Sequence, residues 1–166
     1  MCSSYGNSHD LSFNPTKTAC MLFAPRYFRY ALSPKVFLND EVLCFKTNCK
    51  YLGVFISNDL TDDLDLSRQL RSFYVRSNFL ARNFSACTPG VKCTLFSSFC
   101  GIFYGGHCWF NFKRSSIKKL NVDFNNSFRR FMFYYRFCSA SAMFFFNPVK
   151  SFNEILRNSI FKFRTR

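Results

Sequence analysis

The sequence predicts an α+β protein in which a small antiparallel sheet with a hairpin precedes a bundle of about four helices. Short apolar runs separated by turn residues fill the first third of the chain, whereas apolar residues recur at helical spacing further on. Hydrophobic residues make up 48% of the 166 residues, which is enough apolar surface to form a core. We therefore predict a strand-containing region over residues 1–58 and a helical region over residues 59–166.

The strand-containing region has three apolar segments. Residues 19–24 form a compact apolar run, which predicts a buried strand. Residues 36–38 and 42–45 flank a polar stretch, and this arrangement predicts a hairpin with its turn at residues 39–40. Residues 51–56 form a further apolar run, which predicts another strand of the same sheet.

The first helix of the second region is predicted to begin beside an acidic cluster. Thr61 is a candidate N-cap, because its hydroxyl can accept a hydrogen bond from the first turn. Asp62, Asp63 and Asp65 then place negative charge where the helix dipole favours it. A metal site built from these three carboxylates is the alternative, but the position at a helix N-terminus explains them more simply.

The same helix predicts a basic stripe. Arg68, Arg71 and Arg82 lie on the side of the helical wheel opposite the apolar residues. Residues 66–86 contain no Asp or Glu, although solvated helix faces usually mix both signs of charge. The predicted apolar face consists of Leu66, Leu70, Phe73, Leu80 and Phe84.

Three further helices have their own start signals. Thr88 precedes a proline, and this pair predicts the start of the second helix. Ser115 or Ser116 is predicted to cap the third helix. Ser151, with a glutamate three residues later, has the pattern of a capping box and predicts the fourth helix. The cations predicted to lie off the apolar line of the third helix are Lys118, Lys119, Arg129 and Arg130.

Charge divides the chain more sharply than hydrophobicity does. Residues 1–65 hold six Lys and Arg against seven Asp and Glu, whereas residues 66–166 hold 17 against two. A segment with a formal charge of +15 repels itself unless an anion is nearby. The expected partner is a nucleic-acid phosphate backbone, with acidic lipid as the second choice and a merely soluble basic protein as the plain alternative.

The nine cysteines have an odd count and irregular spacings, so they predict buried free thiols rather than a disulfide framework. A zinc site that uses Cys100, His107 and Cys108 with one further ligand is the alternative. The N-terminal residues lack the basic and apolar segments of a secretory signal, and no apolar run approaches the roughly 18 residues of a membrane span. We therefore expect an intracellular protein, cytoplasmic or nuclear, with no membrane partner.

Three aromatic residues near the middle of the chain have two interpretations. Tyr104, Trp109 and Phe110 could stack on nucleic-acid bases. Because they lie in an apolar part of the sequence predicted to be helical, packing in the core is favoured.

The order of motifs resembles the reverse transcriptases of LINE-type (non-LTR) retrotransposons, most closely the jockey-like group. Residues 11–18 read Leu-Ser-Phe-Asn-Pro-Thr-Lys-Thr, and residues 50–54 read Lys-Tyr-Leu-Gly-Val. Residues 95–109 and 125–130 also look like the helical region that follows the palm in these enzymes. The resemblance extends from about Leu11 to Arg166, and the pairing of the first two motifs is its most specific part.

The resemblance implies a palm remnant followed by a thumb-like helical region. In this family two magnesium ions are held by palm aspartates, including a Tyr/Phe-Ala-Asp-Asp turn that precedes the Asn-Pro-x-Lys element. The ten residues before that element contain no such pair, so the resemblance implies a truncated RNA-directed DNA polymerase without catalysis and without a cofactor of its own. The alternatives are a transposable-element gene fragment without function, or a captured protein that binds RNA or an acidic partner.

Some residues take a role from the resemblance. Lys17 matches the lysine near the incoming nucleotide, although a solvated lysine after a turn is the plain alternative. Tyr51, Leu52 and Gly53 match the primer grip. The implied partners are RNA and an RNA–DNA or DNA duplex, contacted through phosphates rather than base edges. The implied backbone contacts are Arg68, Arg71, Arg82, Lys118, Lys119, Arg129 and Arg130.

Overall fold

The chain folds as two compact units, Met1–Thr61 and Asp62–Arg166. The computed structural model describes residues 5–6, 8–23, 34–38 and 41–165. The first unit contains short antiparallel strand pairs and the second contains helices. The predicted α+β class is confirmed.

The described residues of the first unit contain two separate strand pairs. Strand β1 (Phe37–Leu38) is antiparallel to β2 (Glu41–Val42), so the predicted hairpin is confirmed, although its turn at 39–40 lies outside the described residues. The prediction of a strand over 19–24 is wrong for the part described. Cys20 makes one isolated bridge to Phe45, and the residues after it do not pair. An apolar run becomes a strand only where a neighbouring strand satisfies its backbone, and apolar pattern alone does not supply that neighbour.

The second strand pair divides the apolar run 51–56. Strand β3 (Asn48–Tyr51) is antiparallel to β4 (Val54–Ser57), with Tyr51 opposite Val54. The two turn residues are Leu52 at φ 46° and Gly53 at φ 83°. Two successive positive φ values match the twist of a tight hairpin, and only the glycine adopts them without a steric cost.

The second unit contains five α-helices among its described residues, one more than predicted. The unpredicted helix is short and apolar, and Met143 anchors it in the core. A 3₁₀ turn, Gly106–Cys108, lies between the second and third helices. The α-helices are α1 (Asp63–Asn83), α2 (Pro89–Cys100), α3 (Arg114–Phe131), α4 (Ala140–Phe146) and α5 (Phe152–Arg164).

Two of the four predicted helix starts are confirmed. Helix α2 begins directly after Thr88, and α5 begins with a complete capping box in which Ser151 and Glu154 bond each other's backbone N–H. The N-cap position of α1 is Asp62, whose side chain makes no capping hydrogen bond, and the predicted cap Thr61 donates its hydroxyl to Asp59 instead. The serine cap predicted for α3 is also wrong, because that helix begins two or three residues earlier, after Lys113.

Phenylalanine rings form the core of the helical unit. Phe124 on α3 is fully buried, and its ring centroid lies 5.2 Å from that of Phe96 on α2 and 5.7 Å from that of Phe73 on α1. Phe152 on α5 lies 6.1 Å from the same ring. Rings at these separations pack efficiently in tilted or edge-on pairs. The predicted apolar face of α1 therefore points into the core.

Candidate nucleic-acid interface

The acidic cluster at the start of α1 fastens a loop. Asp62 Oδ2 accepts hydrogen bonds from the backbone N–H groups of Phe110 and Asn111, each at 2.7 Å. Asp63 Oδ1 accepts one from the N–H of Lys113 at 3.2 Å. We call Asp62, Asp63 and Asp65 the aspartate clasp. Asp62 and Asp63 accept hydrogen bonds from backbone N–H groups just before α3. The negative charge of all three residues also lies at the N-terminus of α1, where the helix dipole favours it.

The third clasp residue is buried and uses both carboxylate oxygens. Asp65 is only 1% exposed, and its Oδ2 accepts from Trp109 Nε1 at 3.0 Å. Its Oδ1 accepts from Arg68 Nε at 2.7 Å and lies 2.7 Å from Arg68 Nη2. Arg68 is therefore the partner of a buried carboxylate, and its prediction as a freely exposed member of the basic stripe needs correction.

The remaining arginines of α1 divide into outward and inward groups. Arg71 and Arg82 are exposed. Arg76 turns inward, where its Nη1 donates to the carbonyl of Ile102 at 2.9 Å and burial lowers its pKa. The basic stripe of α1 consequently consists of two exposed guanidinium groups.

The cations of α3 form a second exposed set on a common face. Lys118, Lys119 and Arg130 are exposed, whereas Arg129 is partly buried and bonded by Asn126 Oδ1 and the Cys138 carbonyl. Residues eleven apart on a helix differ by about 20° around its axis and by about 16 Å along it. The lysine pair and the arginine pair therefore lie on one side of α3, about three turns apart.

A concave site lies beside the arginine end of this face. It is a cleft of about 600 Å³ between α1, α3 and the segment that follows α3. We call it the Tyr74–Arg136 cleft. Sequence reasoning missed it, because its residues are separated by up to 62 positions and form no local motif. Its lining residues are Tyr74, Asp123, Asn126, Arg129, Arg130, Tyr134 and Arg136.

One wall of the cleft holds a tyrosine beside a carboxylate. Burial chiefly raises the pKa of Tyr74 to about 12, and the hydrogen bond to Asp123 and that group's negative charge add to the effect. Arg130 opposes the shift. Tyr74 is therefore a neutral donor to Asp123 at ordinary pH, and Asp123 has a protein partner within the helical unit.

The site residues that were predicted in the first unit lie in or beside turns. Lys17 is exposed, in a turn where Asn14 Oδ1 accepts the backbone N–H groups of Thr16 and Lys17. Tyr51 and Leu52 are 63% and 74% exposed. With Gly53 they form the tip of the β3–β4 hairpin.

The three aromatic residues predicted for the core have different environments. Trp109 is buried, as expected, with its indole N–H on the aspartate clasp. Tyr104 and Phe110 are 59% and 71% exposed, so the core prediction is wrong for them. Because α2 ends at Cys100, these two residues fall in the loop that follows rather than in a packed helix.

The cysteines are free thiols at all eight described positions, but only Cys93 and Cys100 are buried. Burial raises the pKa of Cys100 to about 12. Cys44 and Cys108 are exposed, which corrects the prediction of uniformly buried thiols. In the described ranges no three His, Cys, Asp or Glu side chains come together as a metal site.

The fold defines a class rather than a family: an α+β chain whose helical unit carries a strongly basic surface. None of its described helices combines the length and apolarity needed to cross a bilayer. Comparisons with protein-family models, curated proteins and solved structures found no match.

Proposed function

We propose that this chain corresponds to the end of the palm and the thumb of a LINE-type reverse transcriptase, that it has no polymerase activity of its own, and that it binds the backbone of an RNA–DNA or DNA duplex through α1 and α3. It would act inside the cell, in the cytoplasm or the nucleus. The observation that carries the proposal is the state of the charges in the described part of the helical unit: each carboxylate residue has a partner inside the protein, whereas most of the cations are exposed.

The charge inventory supports a polyanionic partner. Residues 62–166 contain 17 Lys and Arg against five Asp and Glu, and twelve of the sixteen described cations are exposed. Three of the five carboxylates form the aspartate clasp, while Asp123 pairs with Tyr74 and Glu154 completes a capping box. Between described residues, the one salt bridge is that of Arg68 and Asp65. The exposed cations are therefore available to phosphates.

The test is binding of a blunt RNA–DNA hybrid of about 20 base pairs, followed by fluorescence anisotropy between 50 and 200 mM salt. Each phosphate neutralised contributes about −0.9 to the slope of log K against log salt for a duplex. We expect a steep slope and little dependence on base sequence. An affinity that does not change with salt, or no binding at low salt, contradicts the proposal.

Exposed cations are the appropriate ones to replace. The double variants Arg71→Gln with Arg82→Gln, and Lys118→Gln with Lys119→Gln, should each lower the slope by about 2 without altering sequence preference. Arg68 is excluded, because its loss would leave a buried carboxylate unpaired. The charge-matched control replaces Arg157 and Arg164 on α5. An equal loss in the control would contradict an interface on α1 and α3.

The absence of catalysis is tested separately. The 166 residues contain no Tyr/Phe-Ala-Asp-Asp turn to hold metal ions, so primer extension by this chain on an RNA template with Mg²⁺ or Mn²⁺ should yield no product. Extension by the pure chain that Lys17→Ala abolishes would overturn the non-catalytic part of the proposal, because Lys17 matches the nucleotide-proximal lysine.

Exposed aromatic side chains favour a second candidate, a gene fragment without selected function or a captured interaction protein. Five of them lie between α3 and the end of α4 and are each more than 70% exposed, and clusters of exposed apolar side chains mark either interaction sites or a tendency to aggregate. Cooperative melting of a monomer favours a retained role, whereas aggregation favours the fragment. These residues are Phe133, Tyr135, Phe137, Phe145 and Phe146.

A further inference from the structure

The Tyr74–Arg136 cleft gathers three arginines around one recess. Arg129 and Arg130 come from the last turn of α3, and Arg136 comes from the segment that follows. Among the described residues of the lining, Asp123 is the only carboxylate, so these residues carry a formal charge of +2. A recess with surplus guanidinium groups selects an anion, and the planar fork of Arg fits phosphate or carboxylate oxygens in pairs.

The three guanidinium groups differ in how firmly the protein holds them. Arg129 has its two terminal nitrogens fixed by Asn126 Oδ1 at 2.6 Å and by the Cys138 carbonyl at 2.9 Å. Its Nε is buried and has no hydrogen-bond partner within the described part of the chain. Arg130 and Arg136 are exposed. The cleft thus has one guanidinium group that the protein holds by hydrogen bonds and two that are exposed.

The tyrosines complete the polar lining. Tyr134 accepts a hydrogen bond from Asn147 Nδ2 at 2.8 Å, which leaves its own hydroxyl proton available as a donor. Tyr74 donates to Asp123, whose Oδ2 is buried and has no hydrogen-bond partner within the described part of the chain. The cleft volume of about 600 Å³ falls in the range of roughly 300–1,000 Å³ that is common for small-ligand sites. There is room for a phosphate together with the sugar or base attached to it.

We propose that the Tyr74–Arg136 cleft binds the terminal phosphate of a nucleic-acid strand. A terminal phosphomonoester is close to doubly charged at neutral pH, which matches the +2 of the lining better than the single charge of an internal diester does. A strand end can also enter a recess that the middle of a duplex cannot. Lys118 and Lys119, about 16 Å away along the same face of α3, are then placed to meet phosphates further along that strand.

This proposal rests on the proposed function for the carrier of the phosphate, while the cleft itself can be tested without a duplex. The first experiment compares one RNA–DNA hybrid carrying either 5′-phosphate or 5′-hydroxyl ends, at 150 mM salt, with the full chain. We expect the phosphorylated hybrid to bind about tenfold more tightly, the effect of one added charge-assisted contact. A 3′-phosphorylated hybrid shows whether the cleft distinguishes the two strand ends.

Variants assign the preference to the cleft. Arg130→Gln with Arg136→Gln should abolish the preference for the phosphorylated end. Because Arg130 also lies on the proposed α3 interface, the affinity for the hydroxyl end should fall as well, but the two ends should then bind equally. The charge-matched control, Lys150→Gln with Lys162→Gln, replaces two exposed cations outside the cleft and should keep the preference. All four positions are exposed, so the variants should fold, as circular dichroism melting would verify.

The second experiment uses adenosine monophosphate and adenosine in calorimetric titrations. The phosphate site is supported if adenosine monophosphate binds, adenosine does not, and the double variant Arg130→Gln with Arg136→Gln loses this binding. If that result is obtained but no duplex binds, the proposed function fails while the phosphate site stands. Equal affinity for phosphate and hydroxyl ends, with no discrimination between the monophosphate and adenosine, overturns the inference. Duplex binding would then stand as backbone contact only.

Discussion

Two charged clusters along α1 differ in how far the protein itself supplies partners for their charged groups. At its first turn, the aspartate clasp satisfies negative charge with backbone N–H groups, an indole and one guanidinium. Three turns later, α1 contributes Tyr74 to a cleft in which three arginines exceed one carboxylate. The first cluster is closed to outside partners, whereas the second has donors that the protein leaves unused.

This difference distinguishes the charged residues that stabilise the fold from those that are free to bind a partner. Asp65 and Arg68 are only three residues apart, and both are used up by the fold. Arg130 and Arg136 are exposed, and replacing them should alter binding with little effect on folding. Arg68 and the two cleft residues are all arginines, and they differ in their burial and in whether a carboxylate pairs with them.

The largest effect should come from breaking the clasp at its buried member. Asp65→Ala removes the acceptor for Trp109 Nε1 and leaves the Arg68 guanidinium without its carboxylate. We expect the free energy of unfolding to fall by about 3 kcal/mol, measured by urea denaturation. Asp65→Ala with Arg68→Met should recover part of that loss, because the unpaired charge is gone. A change below about 0.5 kcal/mol would mean that the clasp does not hold the fold.

A smaller effect separates the other two clasp residues. Asp62→Ala loses two backbone contacts at 2.7 Å, whereas Asp63→Ala loses one at 3.2 Å. Both are partly exposed, so we expect losses of about 2 and about 0.5 kcal/mol respectively. Hydrogen exchange at the amides of Phe110 and Asn111 should accelerate in the Asp62 variant alone. Equal losses in both variants would remove the distinction.

Sequence reasoning predicted local features better than distant ones. The start of α2 after Thr88 and the capping box at Ser151 depend on neighbours within three residues, and both are present. The partners of Asp62 are 48 and 49 positions away, so the sequence indicated only its place at a helix N-terminus. The prediction for Arg68 was wrong for a related reason. Helical spacing predicts the side of the helix on which a cation lies, but it does not show that the buried carboxylate of Asp65 pairs with this one.

The candidate site was predictable to a similar degree. Helical spacing indicated exposed cations on α1 and α3, and five of the seven predicted residues are exposed. The cleft was beyond reach, because no spacing in the sequence links Tyr74, Tyr134 and Arg136 to the residues of α3 that line it. The short apolar helix α4 was also missed, since seven residues contain too few turns for a helical period to appear.

Within the cleft, Arg129 and Arg130 are adjacent in sequence but should respond differently to the same change. Arg129→Gln loses hydrogen bonds to Asn126 and the Cys138 carbonyl, so we expect a loss of about 1.5 kcal/mol in unfolding free energy. Arg130→Gln replaces an exposed side chain and should stay within about 0.5 kcal/mol. Thermal melts of the two variants side by side would make the comparison. A larger loss of unfolding free energy for Arg130→Gln than for Arg129→Gln would contradict the conclusion that the protein holds Arg129 and leaves Arg130 exposed.

At neutral pH an effect smaller than that of Arg129→Gln is expected for Tyr74→Phe, which removes one hydrogen bond to Asp123 and should cost about 1 kcal/mol. Its signature lies at alkaline pH. Folding raises the pKa of Tyr74 to about 12 from an ordinary 10.0, so between these values the unfolded chain releases a proton that the folded chain keeps. The contribution of Tyr74 to stability is therefore complete below pH 10 and is lost as the pH rises towards 12. Urea denaturation at several pH values should show wild type losing more stability than Tyr74→Phe across that window. Parallel curves would show that Tyr74 ionises like an exposed tyrosine and that this wall of the cleft is open to water.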